Sequence, residues 1–158
     1  MGYDSRMKNL DRRDVLVAMS AFAALGMTTE ARAASEPELS QSHTFEFDKL
    51  PVKTSATGVV SRAVTQGVLP TGEFVEVHET SLPPGQMPHP AHKHRHSEFV
   101  LIREGTVEFN NDGKVVRVGP GGLNFNTSNV MHSAKNVGDT TANYFVVAIG
   151  RATGVTPV

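Results

Sequence analysis

The stretch "HPAHKHRHSEF", His89 to Phe99, gathers four of the chain's seven histidines and one glutamate into eleven residues. Side chains two apart on a β-strand share a face, about 6.6 Å apart along the chain, so His92 and His94 are a natural chelating pair. Glu98 keeps the same parity, while the intervening Arg95–Ser97 can form a turn and let it approach from a neighbouring strand. This mixture of imidazole and carboxylate suits Mn²⁺ or Fe²⁺ and also admits Zn²⁺ or Ni²⁺. Three ligands leave a divalent ion underfilled. Downstream of this stretch only one further histidine exists, His132, in "NVMHSAKN", Asn129 to Asn136.

Composition narrows the chemistry. The chain has 158 residues, enough for one domain with a proper core. With 15 Lys and Arg against 16 Asp and Glu, and no long run of either sign, it lacks the basic footprint of a nucleic-acid binder. It has no cysteine, so disulfides and thiolate ligands are excluded and any metal must be held by imidazole and oxygen.

The first 33 residues read as an export signal. Lys8, Arg12 and Arg13 precede the apolar run "VLVAMSAFAALGM", Val15 to Met27, and "ARA", Ala31 to Ala33, has the small-x-small form that signal peptidase cuts. Adjacent Arg12 and Arg13 resemble a twin-arginine signal, which exports folded proteins, although Asp11, Asp14 and Val15 depart from that motif. Thirteen apolar residues are too short to span a bilayer comfortably. The expectation is a periplasmic or secreted protein with no membrane partner after cleavage.

The rest reads as all-β. Residues 34–57 form a lead-in and edge strand, 58–150 a barrel, and 151–158 a tail. Apolar residues recur at period two in short runs bounded by Gly, Pro, Asn and Asp. Strands are expected at 43–47, 58–64, 73–81, 98–103, 106–110, 114–118, 123–126, 131–136 and 143–149. Glu104-Gly105 closes a tight turn, and Asp112-Gly113 supplies the pair that suits a positive-φ hairpin. Eight or nine such strands predict a sandwich or a closed barrel.

Two separated motifs resemble those of the cupin superfamily. "GQMPHPAHKHRHSEFVLIREG", Gly85 to Gly105, is similar to the first, with His92, His94, Glu98 and Gly105 on the pattern and Gly85 one residue further out. "GGLNFNTSNVMHSAKN", Gly121 to Asn136, is similar to the second, with Gly121, His132 and Asn136 in register; Thr127 and Asn129 replace the usual Pro and Gly. The resemblance implies a double-stranded β-helix, or jelly-roll, barrel. It also implies one divalent metal held by His92, His94, Glu98 and His132, with positions left for water, substrate or dioxygen.

Other residues are ordered by parity. Glu98 inward places Val100 and Ile102 inward and Phe99 and Leu101 on an apolar outer face, to be covered by N-terminal strands or by a second copy of the chain; the resemblance implies a homodimer. Phe125 and Phe145 are expected in the core or cavity wall. His96 reads as a turn residue, although by parity it could face the metal in place of His92. His89, between two prolines, belongs to an extended segment near the barrel mouth. His78 shares a face with Phe74 and Glu76; the opposite face, with Val75 and Val77, is the more natural core side, but if the first face lines the cavity, His78 is the catalytic acid or base. The expected activity is that of a metal-dependent enzyme on a small neutral or monoanionic organic molecule, either oxygenase or redox-neutral decarboxylase, isomerase or lyase. The alternative is a barrel that binds a small ligand or metal without turnover.

Overall fold

Asp112 and Gly113 both take left-handed backbone angles, φ 51° and 86°, as a two-residue hairpin requires. The side-chain oxygen of Asn110 accepts from the Gly113 amide at 2.9 Å and closes the turn. The turn joins two of nine strands in the computed structural model, which describes residues 39–151. The expected signal over 1–33, the start of the lead-in and the tail after 151 lie outside the described residues.

In chain order the strands are β1 (Val52–Thr54), β2 (Val60–Val68), β3 (Glu73–Leu82), β4 (Ser97–Glu104), β5 (Val107–Asn111), β6 (Lys114–Val118), β7 (Leu123–Asn126), β8 (His132–Asn136) and β9 (Ala142–Arg151). They form a six-stranded sheet in the order β1-β2-β3-β9-β4-β7 and a three-stranded sheet in the order β6-β5-β8. Every pairing is antiparallel. This all-β architecture is the double-stranded β-helix that the motifs imply. Among the described residues no helix is long and apolar enough to cross a membrane.

Register sorts the large sheet into two faces. Directly paired residues point to the same side, so rows run across it: Glu76–Ala148–Glu98–Asn126, then His78–Val146–Val100–Asn124, then Thr80–Tyr144–Ile102. These rows face the interior. Val100, Ile102, Tyr144 and Val146 are buried there against Val107 and Phe109 of the small sheet. The inner face of β3 is therefore the one with Glu76 and His78, and the valines of β3 lie on the outer side, the reverse of what their hydrophobicity favours.

Two aromatic expectations change for the same reason. Phe125 pairs with Phe99 and stacks on it on the outer face, ring centroids 4.8 Å apart, so it is not cavity wall. Phe145 pairs with outward Leu101 and Glu79 and also belongs to the outer side. No strand forms at 43–47. A short 3-10 turn at Phe47–Lys49 presents the Phe47 ring to the Arg62 guanidinium at 4.6 Å and to that of Arg103 at 5.4 Å, so Phe47 serves cation–π packing on the outer face. Arg62 in turn pairs at 2.9 Å with Glu79, which is buried on that face.

Gly105 shows why the first motif ends in glycine. Its φ is 78°, and a Cβ there would lie 2.6 Å from the Ala142 Cα. Asn129, which replaces the second motif's usual glycine, takes the left-handed conformation itself at φ 61°.

Candidate metal centre

The two motifs are stitched together by backbone. His92 and His132 form an antiparallel bridge, the His92 amide donating to the His132 carbonyl at 3.0 Å and the reverse bond measuring 2.8 Å. The Asn129 amide donates to the His94 carbonyl at 2.7 Å, and the Ser128 hydroxyl donates to the Arg95 carbonyl at 2.7 Å. At the far end of β8 the buried Asn136 donates from Nδ2 to the carbonyls of Leu82 and Thr140 and accepts from the Gly138 amide. The second motif is thus held against the first along its whole length.

These bonds converge three imidazoles. Ring centroids are 5.1 Å apart for His92 and His94, 4.7 Å for His92 and His132, and 4.8 Å for His94 and His132. The Glu98 carboxylate closes the group, with Oε1 3.1 Å from His94 Nε2 and Oε2 3.5 Å from His132 Nε2. The structure brings together all four residues expected at the site.

Tautomers are fixed by the backbone. His94 Nδ1 lies 2.9 Å from the His96 carbonyl, and His132 Nδ1 lies 2.9 Å from the Val130 carbonyl. A carbonyl only accepts, so each Nδ1 carries a proton, and in the neutral ring Nε2 is the nitrogen with the lone pair. Both Nε2 atoms are buried, and so is His92 Nδ1; none of the three has a hydrogen-bond partner. Although Glu98 is within ion-pair reach, neither Nε2 is aligned for a hydrogen bond to it. Buried polar atoms left without partners are costly. Three of them gathered together fit a divalent cation: His92, His94 and His132 can form one ligand group, their donor atoms all within 4.8 Å of one another.

Charge balance points the same way. Burial alone would raise the Glu98 carboxyl, but the imidazoles of His132, His94 and His96 outweigh it and hold the group well below the usual carboxylate range. Burial, with the neighbouring His89, His132 and His94, depresses His92 to about 4, so it is neutral and ready to ligate at pH 7. His132, facing Glu98, is raised against the effect of its burial.

His96 is closer to the site than its turn position suggests. Its ring stacks on that of His94, centroids 3.7 Å apart and planes 12° apart, and its Nε2 lies 3.3 Å from Glu98 Oε1. His94, His96 and Glu98 thus form a second group of metal-compatible donors. In-plane lone pairs of two stacked, nearly parallel rings cannot meet at one ion. His96 therefore holds Glu98 while His94 remains free to ligate. His89 is exposed, its ring edge-on to His92 with centroids 4.1 Å apart.

The interior also carries groups that the sequence reading did not single out. Asn111 donates to Asn124 at 3.0 Å, Asn124 to Asn126 at 2.7 Å, and Asn126 to Glu98 Oε2 at 3.3 Å. Each amide donates toward the carboxylate, so the ladder polarises in one direction and pins its second oxygen. Two asparagines in alternation within "LNFN" were the available signal, since asparagine is a poor strand former. His78 lies in the inner face with Nδ1 3.3 Å from Glu76 Oε1.

Residues 78–148 match the family model of the cupin domain. Solved structures share the fold at low identity. An RmlC-like cupin from Shewanella frigidimarina is 21% identical with a TM-score of 0.58, covering 73% of this chain and 97% of that one. The KdgF protein of a Halomonas species is 17% identical with a TM-score of 0.59, covering 72% and 97%. A predicted oxalate decarboxylase from Thermotoga maritima is 21% identical with a TM-score of 0.55, covering 70% and 100%. No curated protein matches the chain significantly.

Proposed function

We propose that this cupin is a metal-dependent enzyme acting on a small organic molecule at a single centre held by His92, His94, Glu98 and His132. One observation carries the reading: three buried, unpartnered imidazole nitrogens are gathered together, and those of His94 and His132, whose Nδ1 atoms face backbone carbonyls, lie beside the Glu98 carboxylate. Mn²⁺ or Fe²⁺ suits this donor set best, with Zn²⁺ or Ni²⁺ compatible. A bound ion would supply Lewis-acid polarisation of a substrate oxygen, or a site for dioxygen, which leaves oxygenase and redox-neutral decarboxylase, isomerase or lyase chemistry as the two branches.

The chain's own groups do the rest. His96 and Asn126 hold one oxygen each of Glu98 and keep its orientation. His78, on the same interior face two residues from Glu76, is placed to take or give a proton at Nε2 while Nδ1 faces the Glu76 carboxylate. Val100 and Val146 make the adjoining wall apolar and exclude water. Export through the N-terminal signal and assembly as a homodimer through the outer face of β4 and β7 complete the proposal.

The test is elemental analysis of protein purified from its native compartment, followed by oxygen-uptake and product assays with small enols and phenols. One equivalent of a transition metal and turnover that disappears in His94→Ala are expected. A protein that binds metal and ligand without any product would instead be the binding module.

A further inference from the structure

We propose that Glu76 is the substrate-selecting residue of this centre, and that it favours a small uncharged molecule with adjacent hydroxyl groups over small carboxylate anions. The inference rests on the metal-centre reading above and adds the class of molecule it takes.

Three observations place Glu76 opposite the ligand cluster. Glu76 and Glu98 both pair with Ala148, one from each side, so all three lie in one row on the interior face. Two strand spacings separate the backbones of Glu76 and Glu98, about 10 Å. The strand between them presents only small residues inward, Ala148 and Gly150, and His96 packs over the second, where an added Cβ would lie 3.1 Å from its own. Glu76 thus stands one strand across from Glu98, with only the Ala148 side chain in the row between them.

The chemistry of this row is acceptor-rich. Glu76 is anchored by His78 at 3.3 Å, and that contact outweighs burial to keep the carboxyl below its ordinary value, so it is an anion at neutral pH. Two carboxylates therefore flank Ala148. Among the described residues cations lie elsewhere: Arg62 and Arg103 pack on the outer face around Phe47, Lys93 and Arg95 are exposed, and no lysine or arginine is buried. An anionic substrate directed at the ligand cluster would place its second charge against Glu76. A vicinal diol or enediol would instead donate a hydroxyl hydrogen to that carboxylate while its neighbouring oxygen faces His92, His94 and His132.

Full-length protein loaded with Co²⁺ is titrated, without oxygen, with catechol and with oxalate, following the cobalt visible bands in the wild type and in Glu76→Gln. Wild type should bind catechol at least tenfold tighter than oxalate, and the ratio should fall at least tenfold in Glu76→Gln. A wild type that prefers oxalate or does not discriminate, or a ratio that falls less than tenfold, overturns the inference. Should Glu76→Gln fail to fold, Glu76→Asp keeps the charge and withdraws it: catechol binding should weaken at least fivefold with oxalate still excluded, and any other pattern counts against the proposal. Failure to develop cobalt bands at all would refute the metal centre itself, a distinct result.

Discussion

The rings of His94 and His96 are stacked at 3.7 Å with planes 12° apart, and both present Nε2 to the same oxygen of Glu98, at 3.1 and 3.3 Å. Parallel lone pairs divide the proposed roles: His94 is free to ligate and His96 orients the carboxylate. His94→Ala is expected to abolish stoichiometric metal binding. His96→Ala should retain one metal per chain with affinity lowered about 10- to 100-fold, the usual effect of losing an outer-shell partner. Competition titration with a chromophoric chelator checks both, and equal losses in the two variants would contradict the division.

The Asn111–Asn124–Asn126 ladder ends on the other oxygen of Glu98. Asn126→Leu strands the Asn124 amide in the interior and leaves Oε2 with one donor fewer. The expected destabilisation is about 1–3 kcal/mol, the cost of an unsatisfied buried group, accompanied by weaker metal binding. Denaturant unfolding of the metal-free protein separates the first effect from the second. An Asn126→Leu protein as stable as wild type would show that the ladder is not under tension with burial.

Acid should act on the metal-free protein through His92. Its imidazole is depressed to about 4 when folded and titrates near 6.5 when unfolded. Between those values the unfolded chain binds the extra proton, so folding stability falls as pH drops from about 6.5 towards 4. The full effect of this one group is on the order of 3 kcal/mol at pH 4. Neutral imidazole is also the ligating form, so metal release should follow the same direction. Thermal unfolding against pH in wild type and His92→Asn isolates the contribution; identical pH slopes would contradict it.

Gly105 joins backbone conformation to topology. It holds φ 78° and presses against the Ala142 backbone, where a Cβ would approach to 2.6 Å. Gly105→Ala meets both a strained dihedral and immovable main chain, so a loss of about 3 kcal/mol or more is expected, read as a lowered denaturation midpoint. Gly113→Ala, equally left-handed but with open space around it, should lose less. The reverse order would mean that the Ala142 contact does not limit the turn.

Legibility in the sequence followed the kind of signal. The hairpin at Asp112-Gly113 and the strands 114–118 and 123–126 were readable because turn residues with positive φ bracket them. His92, His94 and Glu98 were readable from ligand chemistry and spacing, and His132 from the resemblance of its stretch to the second motif. The inner side of β3 was not. Glu76 and His78 face the cavity while Val75 and Val77 lie on an outer side, where packing such as Phe47 on Arg62 and Arg103 changes what hydrophobicity alone predicts. The asparagine ladder and the position of the His96 ring depend on register between β4, β7 and β9, and a single chain's periodicity carries no information on register.

Among the described residues the outer face of β4 and β7 remains apolar and open. Phe99 is 38% exposed, Leu101 43%, Leu123 53% and Phe125 47%, and they are contiguous because Phe99 pairs with Phe125 and Leu101 with Leu123. Phe47 covers the same side of the sheet further over, near Arg62 and Arg103, and leaves this patch aside. Contiguous exposed aromatic and aliphatic groups of this kind mark association sites, and a patch presented identically by two copies can close on itself about a two-fold axis. The proposed homodimer should therefore be seen by light scattering at micromolar concentration. Leu101→Glu, which buries nothing inside the barrel, should convert it to a monomer with unchanged metal stoichiometry, because Leu101 points away from the ligand cluster. A wild-type protein that is monomeric at those concentrations would contradict the homodimer, and a Leu101→Glu protein that remained dimeric would move the interface elsewhere.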